Sequence, residues 1–273
     1  MKTFKCLVYI LLFGNVLTAQ AQRIISLSGT LTEIVVGLGL EKKLVGVDVT
    51  STYPESIQKK TKVGHVRQVG SEAMLSLKPT EVLVVQGSGL RPEIVRQLEQ
   101  AGVRVTQFQQ TLTPAGTEVL IRQVAAHFNQ EAKGKQMIQA MRSQLKKVVP
   151  GPNPPKVLFI YARGAGSLQV SGQNTSVDQL IRLAGGKNAI QGFGDFKPLT
   201  SEALVASNPD YLLLFHSGLE SLGGIEGLLK IPGLQYTTAG KKRQIIEMDG
   251  LLMTGFGPRL GLAIRTLNKQ LYP

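Results

Sequence analysis

Ser71-Glu72-Ala73-Met74-Leu75-Ser76-Leu77-Lys78-Pro79-Thr80-Glu81-Val82-Leu83 returns later in the chain as Ser201-Glu202-Ala203-Leu204-Val205-Ala206-Ser207-Asn208-Pro209-Asp210-Tyr211-Leu212-Leu213. Both copies run Ser-Glu-Ala, a short helix, Pro and a buried strand. Serine is a common helix N-cap, so one helix-start solution used twice would explain part of the match. The matching Pro and strand favour an internal duplication. A weaker echo links Leu27-Ser28-Gly29-Thr30 and its helix to Val170-Ser171-Gly172-Gln173 and its helix.

Outward from the first copy, short apolar runs alternate with helical ones. The spacing predicts strands over 23–27, 44–49, 81–86 and 103–108, and helices over 31–40, 71–77 and 92–101. Such alternation implies parallel βαβ units with helices on both faces. Outward from the second copy the pattern resumes: strands at 156–161, 168–171, 211–215 and 244–248, helices at 176–184 and 201–207, and a last helix from Pro258. Between the halves, Val119, Ile121, Val124, Phe128, Ile138, Met141 and Leu145 keep helical spacing from Pro114 to Val149. A continuous helix of some 30 residues would measure about 45 Å, long enough for a spine between lobes. A break at Gly134 would leave two helices. Pro150-Gly151-Pro152-Asn153-Pro154-Pro155 ends the spine. The expected architecture is therefore α/β: two Rossmann-like lobes, 22–112 and 150–273, joined by a long linking helix, 113–149. A ligand cleft lies between the lobes at the strand ends.

The first residues read as a removable address. Lys2 and Lys5 precede an apolar run from Cys6 to Phe13, and Ala19-Gln20-Ala21 suits cleavage after Ala21. Cys6 lies inside the apolar run rather than at its end, which argues against lipidation there. It is the chain's one cysteine, so residues 22–273 carry no thiol, disulfide or Cys-based zinc site. The formal charge of +13, less Lys2 and Lys5, leaves +11. That favours an anionic partner or simply a basic surface. Dispersed basic residues and sparse aromatics argue against nucleic acid. The three histidines are widely spread, with no HExxH pattern, nucleophile elbow or Walker loop. His127, inside the spine, reads as solvated, and Gly87-Ser88-Gly89 as a turn. The sum is an exported binding protein rather than an enzyme.

Several segments, in this order, resemble the haem-binding proteins of bacterial haem ABC importers, within the larger group that binds siderophores and cobalamin. They are Ser28-Gly29-Thr30-Leu31-Thr32-Glu33-Ile34, Leu44-Val45-Gly46-Val47-Asp48, Val63-Gly64-His65-Val66-Arg67-Gln68, Ser171-Gly172-Gln173-Asn174-Thr175, Ala184-Gly185-Gly186-Lys187-Asn188-Ala189 and Gly218-Leu219-Glu220-Ser221-Leu222-Gly223-Gly224. The resemblance implies a periplasmic monomer that carries haem to inner-membrane permease subunits, in a system that can include an outer-membrane haem receptor. The family's iron-binding tyrosine is replaced here by His65, and a neutral imidazole is itself a common haem axial ligand. Arg67 and Arg163 are then expected to contact haem propionates, through bidentate guanidinium–carboxylate bonds. Tyr161 and His216 are candidates for a second axial ligand; five-coordinate iron is the alternative. Glu72 and Glu202, one per lobe, match the family's transporter-docking carboxylates. Rival readings are a ferric siderophore or cobalamin carrier, a sensor or adaptor without cargo, and an extracellular hydrolase. The absence of Trp counts against aromatic-walled cobalamin or siderophore sites.

Overall fold

The computed structural model describes residues 22–273; the expected address, Lys2 to Ala21, lies outside the described residues. The first lobe comprises β1 (Ile24–Ser26), α1 (Gly29–Gly37), β2 (Leu44–Val47), α2 (Ser71–Leu75), β3 (Glu81–Val85), α3 (Pro92–Gln100) and β4 (Arg104–Phe108). Its four strands are parallel, in the order β2-β1-β3-β4. Ile24 and Ile25 point to opposite faces and are both fully buried, because helices cover the sheet on each side.

Two helices follow, α4 (Pro114–His127) and α5 (Glu131–Leu145). The second lobe comprises β5 (Lys156–Ala162), β6 (Leu168–Ser171), α6 (Ser176–Leu183), β7 (Lys187–Asn188), β8 (Phe196–Pro198), α7 (Ser201–Ser207), β9 (Tyr211–Phe215), α8 (His216–Ser221), α9 (Gly224–Leu228), α10 (Thr238–Lys242), β10 (Ile245–Met248), α11 (Gly250–Thr254) and α12 (Leu260–Leu271). Its sheet runs β10-β9-β5-β6-β8, with β7 also paired to β5. The β10, β9 and β5 strands are parallel, β6 runs antiparallel to β5, and β8 runs antiparallel to β6.

The linking element is a helical hairpin rather than one spine helix. The chain turns at Asn129, whose φ of 52° lies in the left-handed region that asparagine tolerates. Gly134 does not break a helix. It lies within α5, buried against α4, where a Cβ would stand 2.6 Å from that of Ala125. Leu120, Ile121 and Val124 of α4 and Ile138 of α5 join the first lobe's core, whereas Met141 of α5 joins the second lobe's core. Helix α5 thus contributes side chains to both cores.

His127 is not solvated. Its Nε2 stands 2.7 Å from Glu81 Oε1, at the buried start of β3, and its ring meets Phe108 and Phe128 edge-on. The duplicated segments differ from the serine-cap reading too. The residues preceding the helices are Gly70 and Thr200, with Thr200 Oγ1 accepting from Ala203 N, and Ser71 and Ser201 are the first helical residues. Glu72 and Glu202 fall in matching exposed first turns.

A seam holds the two lobes together at the cleft floor. Residues 249–259 of the second lobe reach into the first, where Gly255 O accepts from Thr30 Oγ1 (2.5 Å) and Gln110 Nε2 (2.7 Å). Phe256 O accepts from Thr117 Oγ1 at 3.0 Å. Arg259 donates through Nε (3.1 Å) and Nη2 to Glu33 on α1, and its guanidinium lies 3.6 Å from the centre of the Tyr53 ring. Glu33 is buried, and that burial raises its carboxyl above the ordinary range, against the pull of Arg259.

Candidate functional site

The seam forms the floor of a cavity of about 590 Å³ between the lobes. Ser28, Thr30, Thr50 and Thr52 line it from the first lobe, and Phe215, His216, Glu220 and Leu251 from the second. The volume falls in the range of roughly 300–1,000 Å³ usual for small-molecule sites. All of these residues stand at or after the C-terminal ends of parallel strands, where the chain leaves the sheet and side chains are free to face a ligand.

The first-lobe wall rests on a buried polar network. Asp48 accepts from Thr50 Oγ1 (2.5 Å) and Ser51 Oγ (2.6 Å), and Ser51 Oγ stands 2.8 Å from Thr32 Oγ1. Lys62 donates to Ser51 O at 2.5 Å; burial lowers its pKa, while Asp48 raises it. Thr50 also accepts from Gly29 N at 3.2 Å, so the loop after β2 is fixed to the start of α1. Sequence reasoning passed over Thr50 and Thr52 because they sit in a stretch that reads only as a turn-rich loop.

His65 and Arg67 lie on the same first-lobe loop, beyond the cavity lining. Val63, Val66 and Val69 anchor that loop in the core, which leaves His65 half-buried and Arg67 exposed between them. His65 Nδ1 accepts from Arg67 N at 3.3 Å. In the neutral ring this leaves the proton on Nε2, so binding a metal through Nε2 requires the opposite tautomer. A bond of 3.3 Å is long and is given up at little cost. Arg67 lies across Gly89, where a Cβ would stand 2.9 Å from Arg67 Cγ and where φ is +89°. Nearby, Ser88 Oγ is buried without a hydrogen-bond partner.

The second lobe offers a matching pair at the end of β5. Arg163 Nε donates to Tyr161 Oη at 2.6 Å, and the guanidinium lies 5.2 Å from the ring centre. The Tyr161 ring packs edge-on against Phe196 and Phe215, and Phe215 lines the cavity. In the Arg163 bond the phenol oxygen is the acceptor, the electronic role it also plays toward a metal. His216 lines the cavity directly, half-exposed, with Nδ1 3.2 Å from Glu247 Oε2. The structure thus separates the predicted residues into His65 with Arg67, Tyr161 with Arg163, and His216. Glu72 and Glu202 stand apart from all three, exposed on α2 and α7.

Residues 24–251 match the family model described as periplasmic binding protein. Among solved structures, the periplasmic heme-binding protein RhuT from Roseiflexus sp. RS-1, in apo form, superposes with a TM-score of 0.87. It is 39% identical, over 92% of this chain and 98% of that one. An ABC transporter substrate-binding lipoprotein of Bacillus subtilis, YvrC, is 28% identical over 93% of this chain and 81% of its own length. A vitamin B12-binding protein of Vibrio vulnificus is 26% identical over 97% of this chain and 94% of its own. The two sheets, the interlobe cavity and the match over most of the sequence lead to one conclusion: this chain belongs to the periplasmic binding protein family, whose members serve transport by binding and are not enzymes.

Proposed function

We propose that the protein captures haem in the cleft and delivers it to an inner-membrane ABC importer. One observation carries the reading: each lobe presents a metal-competent side chain followed two residues later by arginine. These are His65-Val66-Arg67, on the loop before α2, and Tyr161-Ala162-Arg163, at the end of β5. Haem requires axial donors for iron and cations for its two propionates, and the two segments supply both. His65 is the iron ligand from the first lobe. Tyr161 is the ligand from the second, with Arg163 providing the positive charge that balances an iron-bound phenolate. Arg67 and the free end of Arg163 take the propionates. His216 remains as the alternative second-lobe ligand. The heme-binding identity of RhuT supports this choice over the cobalamin carrier suggested by the Vibrio relative.

Titrating the purified protein with hemin tests the reading. A saturable shift of the Soret band is expected. No shift with hemin, together with saturable binding of cyanocobalamin or a ferric siderophore, would replace haem with that ligand.

Glu72 and Glu202 are the docking carboxylates for the two membrane subunits. Exposed ion pairs contribute only about 0.2–1 kcal/mol each, so these set orientation more than affinity. The double variant Glu72→Ala, Glu202→Ala is expected to bind hemin normally and to lose uptake in a reconstituted importer. Normal uptake would remove the docking assignment.

A further inference from the structure

The face formed by α4, α5 and α12 carries no residue of the cavity lining. It is strongly basic. Residues 113–149 hold six Lys and Arg (Arg122, Lys133, Lys135, Arg142, Lys146 and Lys147) against Glu118 and Glu131. Glu118 is already paired twice, with Arg142 (2.5 and 2.6 Å) and Arg122 (2.8 Å). Those pairs, Arg142 foremost, hold its carboxyl below the ordinary range. Helix α12, packed on α5, adds the exposed Lys269.

Aliphatic side chains stand exposed among these cations: Val119 at 47%, Val149 at 72% and Leu262 at 41%. Between α4 and α5 lies a groove of about 490 Å³, lined by Ala126, Gly134 and Ile138 with Arg122, Lys135 and Arg142, and by one acid, Glu131. A second copy of the chain does not suit this face, because like charge would meet like. A compact acidic protein suits it poorly, since lysine is depleted from protein–protein interfaces and most of the free cations here are lysines. Long flexible cations with aliphatic groups between them match a layer of anionic headgroups over acyl chains.

We propose that the α4–α5–α12 face docks on the surface of an anionic phospholipid membrane. Docked there, the protein keeps its cavity lining off the bilayer, so cargo capture and membrane contact use separate surfaces. The proposal is independent of which ligand occupies the cleft.

Flotation of protein 22–273 with phosphatidylglycerol–phosphatidylcholine vesicles, and with phosphatidylcholine vesicles, tests it. Binding to the anionic vesicles alone is expected, weakening as salt rises. The triple variant Lys135→Gln, Lys146→Gln, Lys147→Gln removes three charges from the face without touching the Glu118 pairs. At about fivefold per charge, it should bind anionic vesicles on the order of 100-fold more weakly. A control with the same charge change elsewhere, Lys42→Gln, Lys59→Gln, Lys230→Gln, should lose far less. Equal losses in the two triples would reduce the effect to net charge and overturn the proposal. So would absence of binding by the parent protein, or self-association in its place. Unchanged thermal midpoints in both triples exclude misfolding as the cause.

Discussion

Replacing Arg259 by Ala is expected to lower the free energy of unfolding at pH 7 by about 3 kcal/mol. Removing one partner of a buried ion pair leaves an uncompensated charge in a poorly solvated place, at a cost of roughly 3–5 kcal/mol. The lower end applies because Glu33 can escape by taking up a proton. Its carboxyl is already raised, chiefly by burial, and Arg259 is the group that opposes the rise. The sign with pH follows. A carboxyl raised in the folded state binds its proton more tightly folded than unfolded, so ionised Glu33 costs stability increasingly as pH rises from the ordinary carboxylate value through the raised one. Without Arg259 the carboxyl rises further. The deficit of Arg259→Ala should therefore be greatest at neutral pH and shrink as pH falls. Urea unfolding at several pH values measures it. Pairing Arg259→Met with Glu33→Gln should restore much of the loss, because no charge is then left buried. A change within about 0.5 kcal/mol at pH 7, the range of ordinary surface substitutions, would show that the seam does not depend on this pair.

The second large effect belongs to His65. Loss of groups that merely orient a metal ligand typically costs 10–100-fold in affinity, so loss of the ligand itself should reach at least about 100-fold. His65→Ala is expected to weaken hemin binding by that much and to change the Soret and visible bands. Tyr161→Phe should remove any phenolate-to-iron charge-transfer band. Arg163→Ala, which takes away the 2.6 Å bond to the phenol oxygen, should weaken binding about tenfold. His216→Ala should leave the spectrum as it was. If His216→Ala alters the spectrum while Tyr161→Phe does not, the second-lobe ligand is His216, beside Glu247. An unaltered spectrum in His65→Ala would return that residue to an ordinary loop histidine.

The two lobes are legible in the sequence because Glu72 and Glu202, Pro79 and Pro209, and the strands after them recur in one order. Strand ends are legible as well: the apolar run from Tyr211 stops at Phe215, so the next residue, His216, falls at the cleft, and it lines the cavity. Three features are not legible. The hairpin turn falls at Asn129, a residue that takes positive φ without announcing it, while the expected breaker Gly134 serves as a close-packing residue inside α5. His127 carries no sequence mark of its pairing with Glu81, 46 residues away in the chain. The Glu33–Arg259 contact spans 226 residues, and neither local propensity nor periodicity carries information at that distance.

That last separation also orders events in time. The first lobe's core is built from residues up to Ile138, so the emerging chain contains all of it early. Glu33, buried within that lobe's first helix, then waits for a cation made 226 residues later. A polypeptide cut short before Arg259 would keep its first lobe with an unmatched carboxylate at the lobe's edge. The order of synthesis is thus written into the fold's stability: a segment made late neutralises one of the first side chains buried.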